Sequence, residues 1–319
     1  LVRGQELGRQ LAYFSTEVPK DAVRWVECGV RLRMHESPLT VATALRERLS
    51  DSGGGSPAWV FTSATLGTDT GLRQFVAAHG LDDARVLQLP SPFDYPRQAR
   101  LYVPRKFPKP SDANHSDAVA LLASQGGQVL GGRTLVLTTT LRAMRRIAQL
   151  MRAQLANLGI EVLLQGEASK RELLARFTAT SASGCVLVAT GAFWEGVDVP
   201  GEALQLVVID KIPFAPPDDP VVEARCQQLE AEGLSSFAHY QLPQAALALK
   251  QGVGRLIRRE TDRGVLVICD VRLLTMAYGR GLLSALPPMP LLTQSEEFEG
   301  ALDALTKPST KDQYWSFHL

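Results

Sequence analysis

The sequence has no long apolar run, no paired cysteines and no excess of charge of either sign. No apolar stretch approaches the ~20 residues that cross a membrane, so we expect no transmembrane segment. The four cysteines, Cys28, Cys185, Cys226 and Cys269, have no Cys-x-x-Cys spacing, and the five histidines do not cluster with acids. This pattern argues against disulfides and against a metal site, and it favours a reducing, cytoplasmic compartment. With 34 Lys and Arg against 33 Asp and Glu, any nucleic-acid surface must be local.

The N-terminus also lacks the features of a natural start. It begins Leu1-Val2-Arg3-Gly4, without Met and without a signal peptide, so we expect the chain to be part of a longer polypeptide. Its 319 residues are enough for two domains. A hydrophobic content of 45% and a charged content of 21% are typical of a soluble globular protein.

From about residue 112 onward, short apolar runs alternate with helical patterns. The predicted strands are Leu135–Leu137, Val162–Leu164, Val186–Ala189, Leu206–Ile209 and Val265–Ile268. Residues 141–158 carry apolar residues at helical spacing, and Gly126-Gly127 and Gly131-Gly132 are predicted as turns. The alternation predicts an α/β fold with a parallel, doubly wound sheet. No strand is followed by Gly-x-Gly-x-x-Gly, which argues against a dinucleotide-binding Rossmann domain.

The first 110 residues follow a different pattern. Residues 1 to about 55 are polar and are predicted to be helical, and Ala58–Phe61 is predicted to be a short strand. Residues 97–109 hold five basic residues and no acid, and prolines in and beside them predict an extended strip. A linker between domains is the ordinary explanation for such a strip. The alternative is a path for a nucleic acid, with bases stacked on Tyr102 and Phe107.

A basic string begins at Gln251 and reads Gln-Gly-Val-Gly-Arg-Leu-Ile-Arg. Gly252 and Gly254 allow close approach of the backbone. Arg255 and Arg258 are three residues apart, so they share one face if the preceding helix continues through them. Guanidinium groups stay charged and offer a fork of donors to phosphate oxygens. The alternative is a solvated basic helix end.

Three more polar strings follow predicted strands, at the edge where ligands bind in open α/β folds. They are Thr62-Ser63-Ala64-Thr65-Leu66, Thr138-Thr139-Thr140, and the segment from Thr190 to Asp198. The last contains two glycines and two acids, which suit contact with phosphate, sugar or a cation. Its Phe193-Trp194 pair is either exposed or packed into a neighbouring core.

In chain order, these four strings resemble motifs III, IV, V and VI of superfamily 2 helicases. Thr-Ser-Ala-Thr-Leu and Gly-Ala-Phe-Trp-Glu-Gly-Val-Asp resemble the forms found in the XPD/DinG-type, YoaA-like iron–sulfur DNA helicases. The segments Lys211–Phe214 and Asp270–Arg272 match that family as well. The resemblance covers most of residues 59–275 and implies a RecA-like parallel-sheet motor domain, helicase domain 2.

The resemblance also implies a role for individual residues. It gives catalytic roles at the γ-phosphate to Gln251, Arg255 and Arg258; nucleotide contacts to Glu195, Gly196, Asp198, Gly252 and Gly254; coupling to Ser63, Thr65 and Asp270; and DNA contacts to Thr138, Thr139, Thr190 and Gly191.

Parts of such a motor are missing from these 319 residues. There is no Gly-x-x-x-x-Gly-Lys-[Ser/Thr] loop, no Asp-Glu-x-His box, and no group of four cysteines before Thr62. We therefore expect three parts. Residues 1–57 would be a helical segment that remains from an insert or from the first motor domain, and residues 58–110 would be the end of that domain, with motif III and a basic linker. Residues 111–319 would be the second motor domain. ATP and Mg²⁺ sites would be completed by the missing half, and a 4Fe-4S cluster would belong to the parent chain only.

The implied function is that of the C-terminal part of an ATP-dependent 5′→3′ DNA helicase in repair or replication. Such a fragment would supply arginine fingers and single-stranded DNA contacts but would not hydrolyse ATP alone. Because the phosphate loop is absent, a non-catalytic DNA- or protein-binding module derived from a helicase domain is the alternative. The expected partners are single-stranded DNA and a replication or repair protein, with no membrane.

Overall fold

A computed structural model describes residues 2–50, 58–63, 65–67, 69, 71–179, 184–193 and 203–307. The chain divides into two compact units. A first unit comprises Leu1–Gln88 and Phe214–Gln244, and a sheet unit comprises Leu89–Pro213 and Ala245–Leu319. This division differs from the predicted bounds of 1–57, 58–110 and 111–319, because the sheet unit begins earlier and the first unit takes a later segment as well. No helix in the described part of the chain is long and apolar enough to cross a membrane.

The helices and strands are numbered here in chain order. The helices are α1 Val2–Phe14, α2 Ala42–Ser50, α3 Arg73–His79, α4 Tyr95–Gln98, α5 His115–Val129, α6 Leu141–Leu155, α7 Lys170–Thr178, α8 Pro220–Ala231, α9 Leu242–Val253, α10 Arg272–Thr275, α11 Gly279–Ser284 and α12 Ser295–Thr306. The strands are β1 Ala22–Cys28, β2 Leu32–Pro38, β3 Ala99–Tyr102, β4 Thr134–Leu137, β5 Glu161–Leu164, β6 Cys185–Ala189, β7 Leu206–Ile209, β8 Gly264–Ile268 and β9 Leu291–Leu292.

The first unit contains a β-hairpin where the sequence predicted helix. Strands β1 and β2 pair antiparallel, with Arg24 opposite Glu36 and Trp25 opposite His35. The Arg24 guanidinium binds the Glu36 carboxylate at 2.5 Å, and the Trp25 and His35 rings stack with centroids 4.9 Å apart. The prediction of a purely helical segment is wrong here because cross-strand pairs of charged and aromatic residues stabilise a sheet without an alternating apolar pattern.

The predicted strand at Ala58–Phe61 is also absent. Residues 58–63 form neither strand nor helix, and the Val60 side chain is 79% exposed. An apolar run of four residues is compatible with a strand, but it does not supply a pairing partner.

The sheet unit is built on seven strands in the order β5-β6-β4-β7-β8-β3-β9, and all of their pairings are parallel. All five predicted strands are present. The central strands β4, β6, β7 and β8 are buried almost throughout, as expected for a parallel sheet covered by helices. Helix α6 buries the predicted stripe of Met144, Ile147, Ala148, Met151 and Leu155 in the same core.

Strand β3 lies in the segment that was predicted to be a linker. All four of its residues are buried between β8 and β9. Tyr102 stacks on Phe298 with ring centroids 4.5 Å apart, so the alternative in which nucleic-acid bases stack on Tyr102 is wrong. The Arg100 guanidinium donates to the carbonyls of Pro96 and Ala99 at 2.7 and 2.9 Å, and burial lowers the pKa of this side chain. Local backbone acceptors thus make a buried arginine tolerable in a strand.

Two glycine pairs shape the path between α5 and β4. Gly126-Gly127 lies inside α5 rather than in the predicted turn. A Cβ at Gly126 would stand 2.3 Å from the Leu206 side chain, so glycine lets the helix approach the sheet closely. Gly131-Gly132 forms the predicted turn, with φ values of 59° and 91°. A Cβ at Gly132 would also lie 2.5 Å from the backbone nitrogen of Cys185.

These two turn glycines give a matched test. Gly131→Ala meets open space and is expected to cost about 1 kcal/mol of unfolding free energy for its left-handed backbone. Gly132→Ala adds a backbone collision and is expected to cost about 3 kcal/mol. Urea unfolding of both variants measures this. Equal losses would contradict the close approach of the turn to β6.

Candidate functional site

The carboxyl ends of five adjacent parallel strands meet at one edge of the sheet, which we call the carboxyl edge. In spatial order this edge carries Gln165 after β5, Thr190 after β6, Thr139 after β4, Asp210 after β7 and Asp270 after β8. Strands that run in the same direction must bring these residues together, whatever their separation in sequence.

Thr190 is fixed by a neighbouring strand. Its backbone N–H and its hydroxyl both donate to the side-chain oxygen of Gln165, at 2.7 and 3.2 Å. Gly191 is exposed and begins a short helical turn that ends at Phe193. Phe193 is buried, with the Lys170 ammonium 5.2 Å from its ring centroid, so it packs into the core. Trp194, Glu195, Gly196 and Asp198 lie outside the described residues, and their predicted roles stay predictions.

Thr138 and Thr139 have different surroundings. Thr138 is fully buried, and its hydroxyl donates to the carbonyls of Ala189 and Thr140 at 3.2 and 3.3 Å. Its side chain joins two strand ends and is not offered to a ligand, in contrast to the predicted DNA contact. Thr139 is half-buried, and its backbone N–H donates to Asp210 at 3.0 Å.

Asp210 was missed by the sequence reasoning. Its buried carboxylate accepts from the Thr139 hydroxyl at 3.4 Å and pairs with the Lys211 ammonium at 3.1 Å. Burial raises the pKa of this carboxyl, and Lys211 offsets the rise only in part. An acid directly after an apolar strand was the available signal, and the same signal marks Asp270 after β8.

Asp270 connects two loops at the carboxyl edge. It is fully buried, and it accepts the backbone N–H of Ile212 at 3.0 Å. Arg272 binds it with two guanidinium nitrogens, at 2.9 and 2.6 Å, and this pairing raises the pKa of Arg272. Asp270 therefore holds the loop after β7 against the loop after β8. Its predicted coupling role stays a prediction.

The carboxyl edge carries exposed basic side chains beside two helix N-termini, although Glu172 also lies in the first turn of α7. Helices α6 and α7 both begin there, capped by the Thr140 and Ser169 side chains. Arg142 in the first turn of α6, and Lys170 and Arg171 in the first turn of α7, are exposed. Helix N-termini and basic side chains both favour phosphate groups.

The predicted catalytic string lies between α9 and β8. Helix α9 ends at Val253, so Arg255 and Arg258 lie in a turn beyond it. The prediction that they share one helix face is therefore wrong. Leu256 and Ile257 between them are 1% and 2% exposed, and the two flanking arginines are half-buried. Residues 254–263 are called the arginine turn below.

The three other residues of this string surround the end of α9. Gln251 is half-buried, Gly252 is buried and Gly254 is exposed. Because the arginine turn immediately precedes β8, it lies at the amino edge of the sheet, opposite the carboxyl edge. Asp262 and Gln98 form hydrogen bonds to the backbone of this turn. The sequence analysis did not identify either residue, and Gln98 is distant from the turn in sequence.

Ser63 and Thr65 lie in the first unit. The Thr65 backbone N–H donates to the Ser63 hydroxyl oxygen at 3.0 Å, which forms a local turn. The coupling role of Ser63 and Thr65 stays a prediction. In the described ranges, no three His, Cys, Asp or Glu residues are grouped so as to hold a metal ion.

The buried Asp210 carboxyl generates a pH prediction. Its raised pKa means that the folded state binds the proton more tightly than the unfolded state, so its contribution to stability is lost as pH rises through the folded pKa. Asp210→Asn removes the titrating group and one acceptor oxygen, so its thermal midpoint relative to that of the wild type is expected to be higher at pH 8 than at pH 5. A variant that is less stable by the same amount at pH 5 and pH 8 would contradict the dominance of burial.

Known proteins resemble this chain in sequence and in fold. Residues 124–289 match the helicase C-terminal domain family. The chain is 43% identical over 288 residues to the ATP-dependent DNA helicase YoaA of Escherichia coli K12, covering 90% of this chain and 44% of the relative. It is 36% identical over 313 residues to the ATP-dependent helicase DinG of Mycobacterium tuberculosis H37Rv, covering 95% and 46%. The chain thus spans about half the length of the curated relatives it matches.

A solved XPD helicase structure matches with a TM-score of 0.57 at 16% identity, covering 89% of this chain and 49% of that one. At this identity the likeness concerns the fold, and the predicted RecA-like fold is confirmed. Since the family match spans more than half of the chain and the motifs stand in the same order, the chain belongs to the helicase C-terminal domain family and is similar to the C-terminal part of the XPD/DinG-type helicases.

Proposed function

We propose that this chain is the second motor domain of an ATP-dependent DNA helicase that moves 5′→3′ along single-stranded DNA in repair or replication. One observation carries the proposal. The arginine turn and the threonine-bearing strand ends lie at opposite edges of one parallel sheet. A motor domain needs this separation, since one surface must respond to nucleotide while another holds the strand.

The amino edge would face the nucleotide. Arg255 and Arg258 present permanently charged forks to phosphate oxygens. Gly252 and Gly254 allow close backbone approach to the nucleotide at the end of α9, and Gln251 beside them is proposed to act with the two arginines. ATP, when bound, supplies the γ-phosphate on which negative charge develops during transfer, and positioned guanidinium groups stabilise that charge.

The carboxyl edge would hold the DNA backbone. Gly191 is exposed. The Thr139 and Thr190 hydroxyls would exchange their bonds to Asp210 and Gln165 for bonds to the backbone of the DNA strand, and Arg142 and Lys170 add positive charge beside them. Such contacts recognise phosphate and sugar more than base, so binding is expected to fall with salt.

The strands themselves would transmit nucleotide state to DNA. Strand β8 joins the arginine turn to Asp270, which holds the loop after β7. That loop begins with Asp210 and Lys211, and Asp210 binds Thr139. Strand β8 thus connects the proposed nucleotide edge to hydrogen bonds that join the loops of the proposed DNA edge. Ser63 and Thr65, with Glu195, Gly196 and Asp198, would complete the coupling.

The described residues do not fit a Mg²⁺ site or an iron–sulfur cluster, because no group of three suitable ligands is present among them. Those sites, and the Gly-Lys-[Ser/Thr] loop, would have to be supplied by other residues. We therefore propose that the 319-residue chain alone does not hydrolyse ATP.

A second candidate function is a non-catalytic module that holds DNA or a repair protein. The absence of a phosphate loop from these 319 residues favours it. If the complete gene product has a Gly-Lys-Thr loop and four clustered cysteines, the motor is favoured. If it lacks them, the module is favoured.

Arg258→Ala in the complete gene product is expected to lower kcat for DNA-stimulated ATP hydrolysis by about 1,000-fold, because a positioned arginine stabilises transition-state charge. Arg258→Lys should recover little of this, since an ammonium cannot form the fork. Phosphate release measures both, with the exposed Arg280→Ala as control. DNA-stimulated phosphate release by the 319-residue chain alone, abolished in Arg258→Ala, would contradict the proposed inactivity of the isolated chain.

Thr190→Ala is expected to weaken single-stranded DNA binding about tenfold, since it removes a hydroxyl next to charged phosphates. Arg255→Ala should leave the affinity unchanged, because that residue lies at the other edge. Fluorescence anisotropy with labelled single strands at low and moderate salt measures both. Equal weakening by the two variants, or an affinity that ignores salt, would contradict the division between DNA and nucleotide edges.

A further inference from the structure

Two buried polar side chains converge on the backbone of the arginine turn. Asp262 and Gln98 are each 6% exposed, although both are residue types that usually lie at the surface. They point at the same short stretch of main chain, and the functions described above do not account for either of them.

Asp262 holds the turn by its backbone N–H groups. One carboxylate oxygen, Oδ2, accepts from the N–H of Arg258 and from the N–H of Arg259, both at 2.9 Å. The Asp262 N–H in turn donates to the carbonyl of Arg259 at 3.1 Å. A single oxygen thus fixes the main chain at the residue whose guanidinium is proposed to meet phosphate.

Gln98 holds the same turn by its carbonyls. Its Nε2 lies 2.8 Å from the carbonyl of Arg259 and 3.1 Å from the carbonyls of Glu260 and Asp262. Gln98 ends α4 and directly precedes β3, whose first residue, Ala99, pairs with Gly264 at the start of β8. The amide is therefore carried by the strand beside β8, and it cannot move without disturbing the sheet.

The Gln98 amide donates to carbonyls of the turn, and the Asp262 carboxylate accepts from its N–H groups. Together these bonds leave the main chain of residues 258–262 with little conformational freedom. A purely structural turn does not require such an arrangement, because exposed turns satisfy their backbone groups with water. An arginine that acts on developing charge does require it, since a misplacement of about 1 Å costs about 100-fold in rate.

We propose that Asp262 and Gln98 are positioning residues that hold Arg258 in register for phosphoryl transfer. This inference rests on the proposed function and deepens it. Asp262 sets the direction in which the Arg258 side chain leaves the backbone, and Gln98 locks the returning half of the turn onto β3.

Kinetics of the complete gene product test the inference. Asp262→Ala and Gln98→Met are expected to lower kcat for DNA-stimulated ATP hydrolysis about tenfold or more, with KM for ATP and the Kd for single-stranded DNA changed about twofold at most. Asp262→Asn should retain most of the activity, because one side-chain oxygen serves both N–H groups. Asp303→Ala and Gln128→Met make similar changes at exposed positions and should leave kcat unchanged.

Amide hydrogen exchange on the 319-residue chain gives a readout that does not need catalysis. The N–H groups of Arg258 and Arg259 should exchange faster in Asp262→Ala and stay protected in Asp262→Asn, while those of Val265–Ile268 in β8 stay protected in both. Protected β8 amides show that the variant is folded, so faster exchange in the turn reports the local loss of the carboxylate.

The two experiments separate two kinds of failure. A complete wild-type protein without DNA-stimulated ATP hydrolysis would overturn the proposed function, while exchange would still test the hold on the turn. Folded Asp262→Ala and Gln98→Met proteins with wild-type kcat would overturn the positioning role in an active helicase. A loss of thermal stability with unchanged kcat would count as the same negative result.

Discussion

The common direction of the strands in the parallel sheet is the constraint on which the rest of the structure depends. Each of the strands β3 to β8 runs in the same direction, so every residue that follows a strand arrives at one edge and every residue that precedes one arrives at the other. Thr139, Thr190 and Asp270 are far apart in sequence and yet share an edge. The arginine turn precedes β8 and therefore lies at the opposite edge, about 15 Å away across a five-residue strand. The separation between the two edges, which are proposed to meet nucleotide and DNA, follows from topology alone.

Buried acids keep the strand ends in place. Asp210 and Asp270 are both fully buried, and such carboxylates are costly unless they are paired and hydrogen-bonded. Each is satisfied by a basic side chain next in its own loop and by a backbone N–H from another segment: Thr139 for Asp210, and Ile212 for Asp270. The loops after β4, β7 and β8 are thus tied to one another. Displacing one of these loops would break a charge-assisted hydrogen bond to the next, which is how a change at one strand end can reach another.

The sequence made some of this predictable and concealed the rest for physical reasons. Continuous apolar runs revealed the five central strands, because a parallel strand covered on both faces has no polar side to disguise it. Strand β3 was not predicted because it contains Arg100, a charged residue that seldom lies in a buried strand. Hydrogen bonds from its guanidinium to carbonyls of its own segment stabilise the buried charge. The hairpin was concealed because its stability comes from cross-strand pairs, which only the register reveals. Gly126-Gly127 was predicted to be a turn because glycine pairs usually mark turns, and a single sequence does not show that a helix packs closely on a sheet at this point. The sequence pointed to candidate site residues in recognisable strings, whereas it did not point to Asp210, Asp262 and Gln98, whose contacts are visible only in the folded chain.

Strand β3 also changes how the arginine turn should be understood. Glycine gives the backbone more conformational freedom than other residues, so a glycine-containing loop by itself would let the two arginines sample many positions. Here the loop returns into β8 beside a strand that arrives from 160 residues earlier, and the Gln98 side chain at the start of that strand binds the carbonyls of Arg259, Glu260 and Asp262. The placement of Arg258 therefore depends on a pairing between β3 and β8, and not on α9 alone. Strand β3, which the sequence pattern did not reveal, thus helps to fix the position of the arginine turn, whose motif was the clearest in the sequence.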